Sequence, residues 1–216
     1  MRTLAVKLTS FEQDRSFDKP TDSLNAYEKV LRGRQLLSDT EFSANLDARE
    51  LFKEAIDLDQ AYADAHVGLG LTHIADLYWG WVEDPLDALD ASERHALRAL
   101  NINPDHAGAR ALWSEIWWFQ GDLARAEEEI SRALALNPNK SHMIDGRLLL
   151  YSGKVIEAIR ALELAIRIDP NIRAFVPLAT AYYLDRQYAR VFGWLRRGAA
   201  RRGDPSCLFD NWRMSA

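Results

Sequence analysis

Residues 107–138, AGARALWSEIWWFQGDLARAEEEISRALALNP, carry the feature that most restricts what this chain can fold into. Apolar residues recur there at helical spacing in two short segments, which are joined at Gly121-Asp122 and closed by Asn137-Pro138. Small residues (Ser114, Ala126, Ala133) stand where two helices must come close, and large ones (Trp113, Trp117, Ile130) stand beside them. A helix pair this short cannot bury both of its apolar faces alone. It needs neighbours of the same kind, so the pattern predicts further copies.

The copies are present. With Ala107 as position 1 of a unit about 34 residues long, small residues fall at positions 8, 20 and 27, large ones at 7, 11 and 24, and Pro138 at 32. The unit from Asn139 offers Gly146, Leu149, Ala158, Leu162, Ala165 and Pro170. The next offers Phe175, Leu178, Ala179, Tyr182, Val191 and Leu195. Upstream, Ala63 opens a unit with Leu69, Gly70, Ser92, Ala96, Ala99 and Pro104, and a looser one holds Gly33, Ala48, Phe52 and Ala55.

These five registered copies resemble the tetratricopeptide repeat (TPR) family. The resemblance implies an all-α, right-handed α-solenoid of helix-turn-helix repeats over residues 23–203, with units at about 24–60, 61–104, 105–138, 139–170 and 171–203. Residues 1–22 then form an N-terminal helix and linker, from Leu4, Leu8 and Phe11 and the break at Lys19-Pro20. Residues 204–216 form a C-terminal cap or tail carrying Leu208, Phe209 and Trp212.

In this family the first helix of each pair lines a groove that takes a partner peptide or helix. Carried onto this sequence, the groove positions give Val67, Leu71 and Ile74 in the second unit, and Ala111, Glu115, Trp118 and Phe119 in the third. They give Lys140, Met143, Arg147, Leu150 and Tyr151 in the fourth, and Arg173, Val176, Thr180, Tyr183 and Leu184 in the fifth. Trp113 and Trp117 occupy packing positions, whereas Trp118 points about 100° away from that stripe. It is expected to join Phe119, Tyr151 and Tyr183 in an aromatic channel edged by Lys140, Arg147 and Arg173. The Lys and Asn pattern of the chaperone-binding variety is missing, because the corresponding positions hold Ala111, Glu115 and Arg147.

One unit departs from the period. Gln60 to Pro104 spans 44 residues, and the excess is placed at residues 77–86, LYWGWVEDPL. Tyr78, Trp79 and Trp81 lie in it, read either as a plug over the repeats or as a further contact site. Elsewhere the segmentation is regular. Ser23 caps a helix from Leu24 to Leu37, Glu41 to Asn45 is a polar loop, and a second helix runs to about Leu58. Ser141–Ser152 with Val155–Ile168, and Arg173–Leu184 with Tyr188–Arg201, make the last two pairs.

No constellation of catalytic type emerges. His66 and His73 fall two helical turns apart at packing positions with no metal-binding spacing around them, so no metal or cofactor is expected. Gly68-x-Gly70 lies within a helical pattern and is no phosphate loop. Cys207 stands alone, which fits a reducing, cytoplasmic setting. No apolar run approaches the roughly 18 residues of a membrane helix. Residues 1–139 carry a net charge of −11 and residues 140–216 a net +6, yet the basic half lacks the interleaved aromatics of a nucleic-acid module.

A narrower resemblance lies in KPTDSLNAYEKVLRGRQLL, ARELFKEAIDLD and the GWVEDP insertion. Together they resemble the C-terminal TPR region of bacterial signalling proteins that begin with an adenylate or guanylate cyclase domain or a winged-helix domain. That resemblance implies a regulatory or adaptor part and transfers no catalytic residue. The function expected is therefore a non-enzymatic scaffold for a protein or peptide partner. A self-associating module and a small-molecule sensor stand as alternatives.

Overall fold

The structure is a computed structural model that describes residues 21–39, 41–168 and 174–194. Expectations that fall elsewhere lie outside the described residues. They include the N-terminal helix, Arg173, the end of the last helix, and the tail with Cys207, Leu208, Phe209 and Trp212. Among the described residues every regular element is helical. The chain divides into two compact units, Met1–Ala109 and Arg110–Ala216.

In the first unit, α1 (Leu24–Leu37) begins where Ser23 Oγ accepts the Ala26 N–H, as an N-cap should. Next come α2 (Phe42–Leu58), α3 (Ala63–Trp79) and α4 (Pro85–Ile102). The core joins the expected Ala48, Phe52, Ala55 and Leu69 to Ala26, Val30, Tyr62 and Ala65, which the sequence reading had not singled out, and Ile56 packs against them half-buried. Phe52 is fully buried, and its ring fills a slot between two glycines. A Cβ built on Gly33 would meet Phe52 Cζ at 2.8 Å, and one on Gly68 would meet Cε1 at 2.2 Å. These small residues are needed because an aromatic ring occupies the space a side chain would take. A second cluster gathers Ala63, Val67, Ala99 and Ala109.

Two expectations for this unit are corrected. Glu41 to Asn45 is not a loop, since α2 starts at Phe42. Asn45 is buried, and its amide donates to Thr72 O (3.0 Å) and Asp76 Oδ1 (2.7 Å), while Arg49 also pairs with Asp76. A polar residue so engaged by the next helix is held in a helix despite its local preference for turns. The excess at 77–86 is not set off as a separate segment either. α3 and α4 have 17 and 18 residues, against 13 and 14 in the pair that follows, so most of the excess adds about one turn to each helix. The turn between them is set by Gly80 in the left-handed region (φ 65°), by Asp84 accepting the Leu86 N–H, and by Pro85 at the first helical position.

The boundary between the units falls within α5 (Ala107–Phe119). The second unit continues with α6 (Leu123–Leu136), α7 (His142–Tyr151), α8 (Val155–Ile168) and α9 (Phe175–Leu184), and residues 188–194 are again helical. Gly121 (φ 81°) turns the chain, and Asp122 Oδ1 caps α6 at the Arg125 N–H (3.0 Å). Ala111, Ala126, Ile130, Ala133 and Leu148 form one cluster. Leu150, Ala158, Ile159, Leu162, Ala174, Leu178, Ala181 and Tyr182 form another. Each fully buried Leu or Ile contributes about 1.5–3 kcal/mol relative to its exposed state. Gly146 repeats the close approach seen at Gly68, since a Cβ there would lie 2.5 Å from Leu162 Cγ.

Candidate functional site

The first helices of the pairs in the second unit, α5 and α7, present their side chains to each other on one face. Trp118 of α5 stacks on Tyr151 of α7, ring centres 4.8 Å apart at 28°, and Phe119 meets Trp118 edge-on at 4.7 Å. The same two helices are joined by an ion pair between Glu115 and Arg147, with side-chain exposures of 3% and 17%. α9 packs against α7 and carries Val176, Thr180 and Tyr183, all exposed, at i, i+4 and i+7. The Thr180 hydroxyl donates to Val176 O (3.0 Å), so it turns inward to its own helix.

The sequence-derived groove residues separate into three groups. Trp118, Phe119 and Tyr151 come together. Trp118 nevertheless has a double role, because it also packs against the Ala126–Ile130–Ala133 cluster. Tyr151 is the outermost member, 56% exposed. A second group belongs to the interior. Leu150 is a core residue, Met143 packs on the same cluster, Ala111 is buried, and Glu115 is buried with its carboxylate on Arg147. Val67 and Ile74 in the first unit are likewise buried. The reason is common to all of them: a groove position counted by period becomes core wherever the next helix pair covers it.

The third group is exposed. Lys140 is exposed in the turn before α7, where its N–H donates to Asn137 O (3.2 Å). Tyr183 meets Tyr188 edge-on at 5.7 Å. Tyr188, half-exposed beyond the 185–187 turn, was missed from sequence because it opens the second helix of its pair. Trp113 and Trp117 stack on one another at 5.6 Å, with Arg125 lying over Trp117 at 4.6 Å.

The aromatic residues of the first unit form their own group. Trp81 stacks on Trp79 at 6.1 Å and meets Phe42 of α2 edge-on at 5.6 Å, while Tyr78 is half-buried. Phe42 was hidden from the sequence reading by its placement in a supposed loop. Near the end of the second unit, Tyr182, Glu163 and Arg190 line a cleft with Gly193 and Trp194. Their polar groups satisfy one another: the Tyr182 hydroxyl donates to Glu163 and accepts from Arg190 (3.2 Å).

No protein-family model matches the chain. A curated relative, the DnaJ homolog subfamily C member 7 homolog of Schizosaccharomyces pombe, is 28% identical over 109 residues. That match spans half of this chain and 23% of the relative's length. Among solved structures, a thermophilic TPR protein of Thermus thermophilus superposes with a TM-score of 0.58 at 20% identity, over 80% of this chain and 87% of that one. Pseudomonas aeruginosa PilF gives 0.52 at 16%, over 82% and 76%. YrrB, described as a TPR protein with an unusual peptide-binding site, gives 0.50 at 16%, over 95% and 98%. The fold is that of TPR proteins. No described helix is long and apolar enough to cross a membrane.

Proposed function

We propose that this chain is a non-enzymatic interaction scaffold that binds a protein or peptide segment along the α5–α7–α9 face of its second unit. The observation that carries this is Tyr151, a large aromatic ring that is more than half exposed yet held in place by stacking on Trp118. A ring fixed by packing loses little conformational freedom when a partner covers it, which is what recognition anchors require. The Glu115–Arg147 pair neutralises the floor of the face, and Val176 and Tyr183 extend it as exposed apolar surface. The ligand favoured is thus a segment offering apolar or aromatic side chains rather than a terminal carboxylate. Arg173 and Lys140 are proposed as a basic margin that sets the direction of the bound chain.

In the finer reading, this scaffold is the regulatory or adaptor part of a bacterial signalling system and works in the cytoplasm. Support comes from the KPTDSLNAYEKVLRGRQLL and GWVEDP resemblance and from the single cysteine. Selection of peptides from a displayed random library on the full chain tests the proposal. Enrichment of apolar or aromatic motifs that a Tyr151→Ala protein no longer retains is the expected result. Motifs retained equally by both proteins would place the binding surface elsewhere.

Charge distribution favours a second reading, self-association. Residues 1–109 hold 11 Lys+Arg against 20 Asp+Glu, a net −9, and residues 110–216 hold 16 against 12, a net +4. Assembly through these opposite signs would weaken with salt over the Debye range. Light scattering at low and high ionic strength measures it.

A further inference from the structure

We propose that His66 and His95 are a proton-sharing latch that holds α3 to α4 in the first unit and releases them when both rings become charged. The two Nδ1 atoms lie 3.3 Å apart, and the rings sit 5.6 Å apart at 28°. His66 is 7% exposed, and its Nε2 lies 3.3 Å from Gln60 O. A carbonyl can only accept, so Nε2 carries the hydrogen and a neutral His66 has a bare Nδ1. His95 Nδ1 must then donate. One arrangement of hydrogens satisfies every contact.

A shared metal ion is the competing explanation for two imidazoles this close, and the geometry disfavours it. The separation of ring centres exceeds that of the nitrogens by about two ring radii, so both nitrogens lie near the line joining the centres. Two ligands of one tetrahedral ion would instead converge at an angle. No described group of three His, Cys, Asp or Glu is arranged to hold a metal ion.

The surroundings discourage added protons. Arg49 and Lys53 approach from α2, and Arg94 and Arg98 from α4. His73 of α3 lies parallel to His95, 6.3 Å away at 6°. The carboxylate beside this cluster, Asp76, is 3.9 Å from His73 Nδ1 and is already paired with Arg49. Burial holds His66 below the usual histidine range, with Arg98 acting the same way. Burial first, then His66 and Arg94, push His95 down to about 4, and burial, then Arg49, His95, Arg94 and Lys53, push His73 down to about 4.

The proton count defines the release. The first proton enters at His95 Nε2 and leaves the N–H···N bond intact. The second has only His66 Nδ1 to occupy. Two N–H groups then face one another, the bond is lost, and two cations remain side by side on helices that bury Ala96 and Ala99 between them and their neighbours. The unfolded chain takes up its protons near the ordinary value of about 6.5. The latch therefore stabilises fully above that pH, and its contribution falls as pH drops from about 6.5 towards 4.

Imidazole 15N NMR of the full chain tests this. At pH 7 the expected signals are the Nε2–H form for His66 and the Nδ1–H form for His95. On titration His95 should charge well below pH 6 and His66 below the usual histidine range, with amide protection in residues 21–109 lost before that in 110–194. His95→Gln keeps a donor amide without a titrating proton, so its urea midpoint should fall less steeply between pH 6.5 and 4.5 than that of the wild type. The reverse tautomers, or either ring titrating near 6.5, would overturn the proposal, and so would an identical acid response in the variant. If His95→Gln fails to fold at neutral pH, the wild-type tautomers and titration still decide.

Discussion

Gly68→Ala puts the repeat architecture to a quantitative test. Gly68 sits inside α3, where alanine would ordinarily stabilise a helix by about 1 kcal/mol. Here the added Cβ would lie 2.2, 2.4 and 2.5 Å from three atoms of the Phe52 ring, more than an ångström inside ordinary contact. The ring is fully buried, and it is crowded again at Gly33, where a Cβ would also lie within 3 Å of it. Overpacking of this kind costs about 1–3 kcal/mol, and a ring trapped between two backbones belongs at or above the upper end. After the propensity gain, the net loss expected is about 2 kcal/mol. For a cooperative unit of about 100 residues this lowers Tm by roughly 8–16 °C. Thermal and urea unfolding followed by circular dichroism measure it. Phe52→Leu in the Gly68→Ala background should recover part of the loss, since it removes ring atoms from the contested slot. A Gly68→Ala protein as stable as the wild type would refute the reasoning, because it would mean that Phe52 can leave its slot freely.

Other consequences follow from the same physics. Glu115→Leu alone should destabilise by about 1–3 kcal/mol, because it removes the carboxylate that pairs with the largely buried Arg147, whereas Glu115→Leu with Arg147→Met should fall within about 1 kcal/mol of wild type; a double-mutant cycle in urea separates the two. Ser114 is fully buried and its hydroxyl has no hydrogen-bond partner, so Ser114→Ala should raise stability by about 1 kcal/mol, seen as a higher urea midpoint. Asp122→Ala removes the cap of α6 and should cost about 1 kcal/mol, read as faster amide exchange in its first turn. Ala133→Leu, by contrast, should cost about 1–3 kcal/mol or more by overpacking where helices meet.

Much of this fold was readable because each repeat carries its own punctuation. Ser23, Asp84 and Asp122 announce helix starts, Gly121 announces a turn, and the small residues recur at the period. What escaped were features created by pairing distant segments. Asn45 looks like a loop residue until Thr72 and Asp76, 27 and 31 residues away, take up its amide. The excess residues around 77–86 carried no local sign that they would extend two helices. The site shows the same limit. Trp118 stood out because it leaves the packing stripe, but periodicity could not show that Met143 and Leu150 would be covered while Tyr151 stays open. The Glu115–Arg147 pair spans 32 residues and the His66–His95 pair 29, beyond any local pattern.

The most direct test of the recognition surface is the affinity of a library-selected peptide for the Tyr151→Ala protein, measured by titration calorimetry beside its Tm. Tyr151 contributes exposed surface and one stacking contact to the folded chain. The account predicts a Kd weaker by about tenfold or more, as for a truncated anchor worth about 1.4 kcal/mol or above. It also predicts a Tm within a few degrees of wild type. An unchanged Kd would contradict it, and so would a Tm collapse like that expected for Ala133→Leu, which would make Tyr151 part of the core.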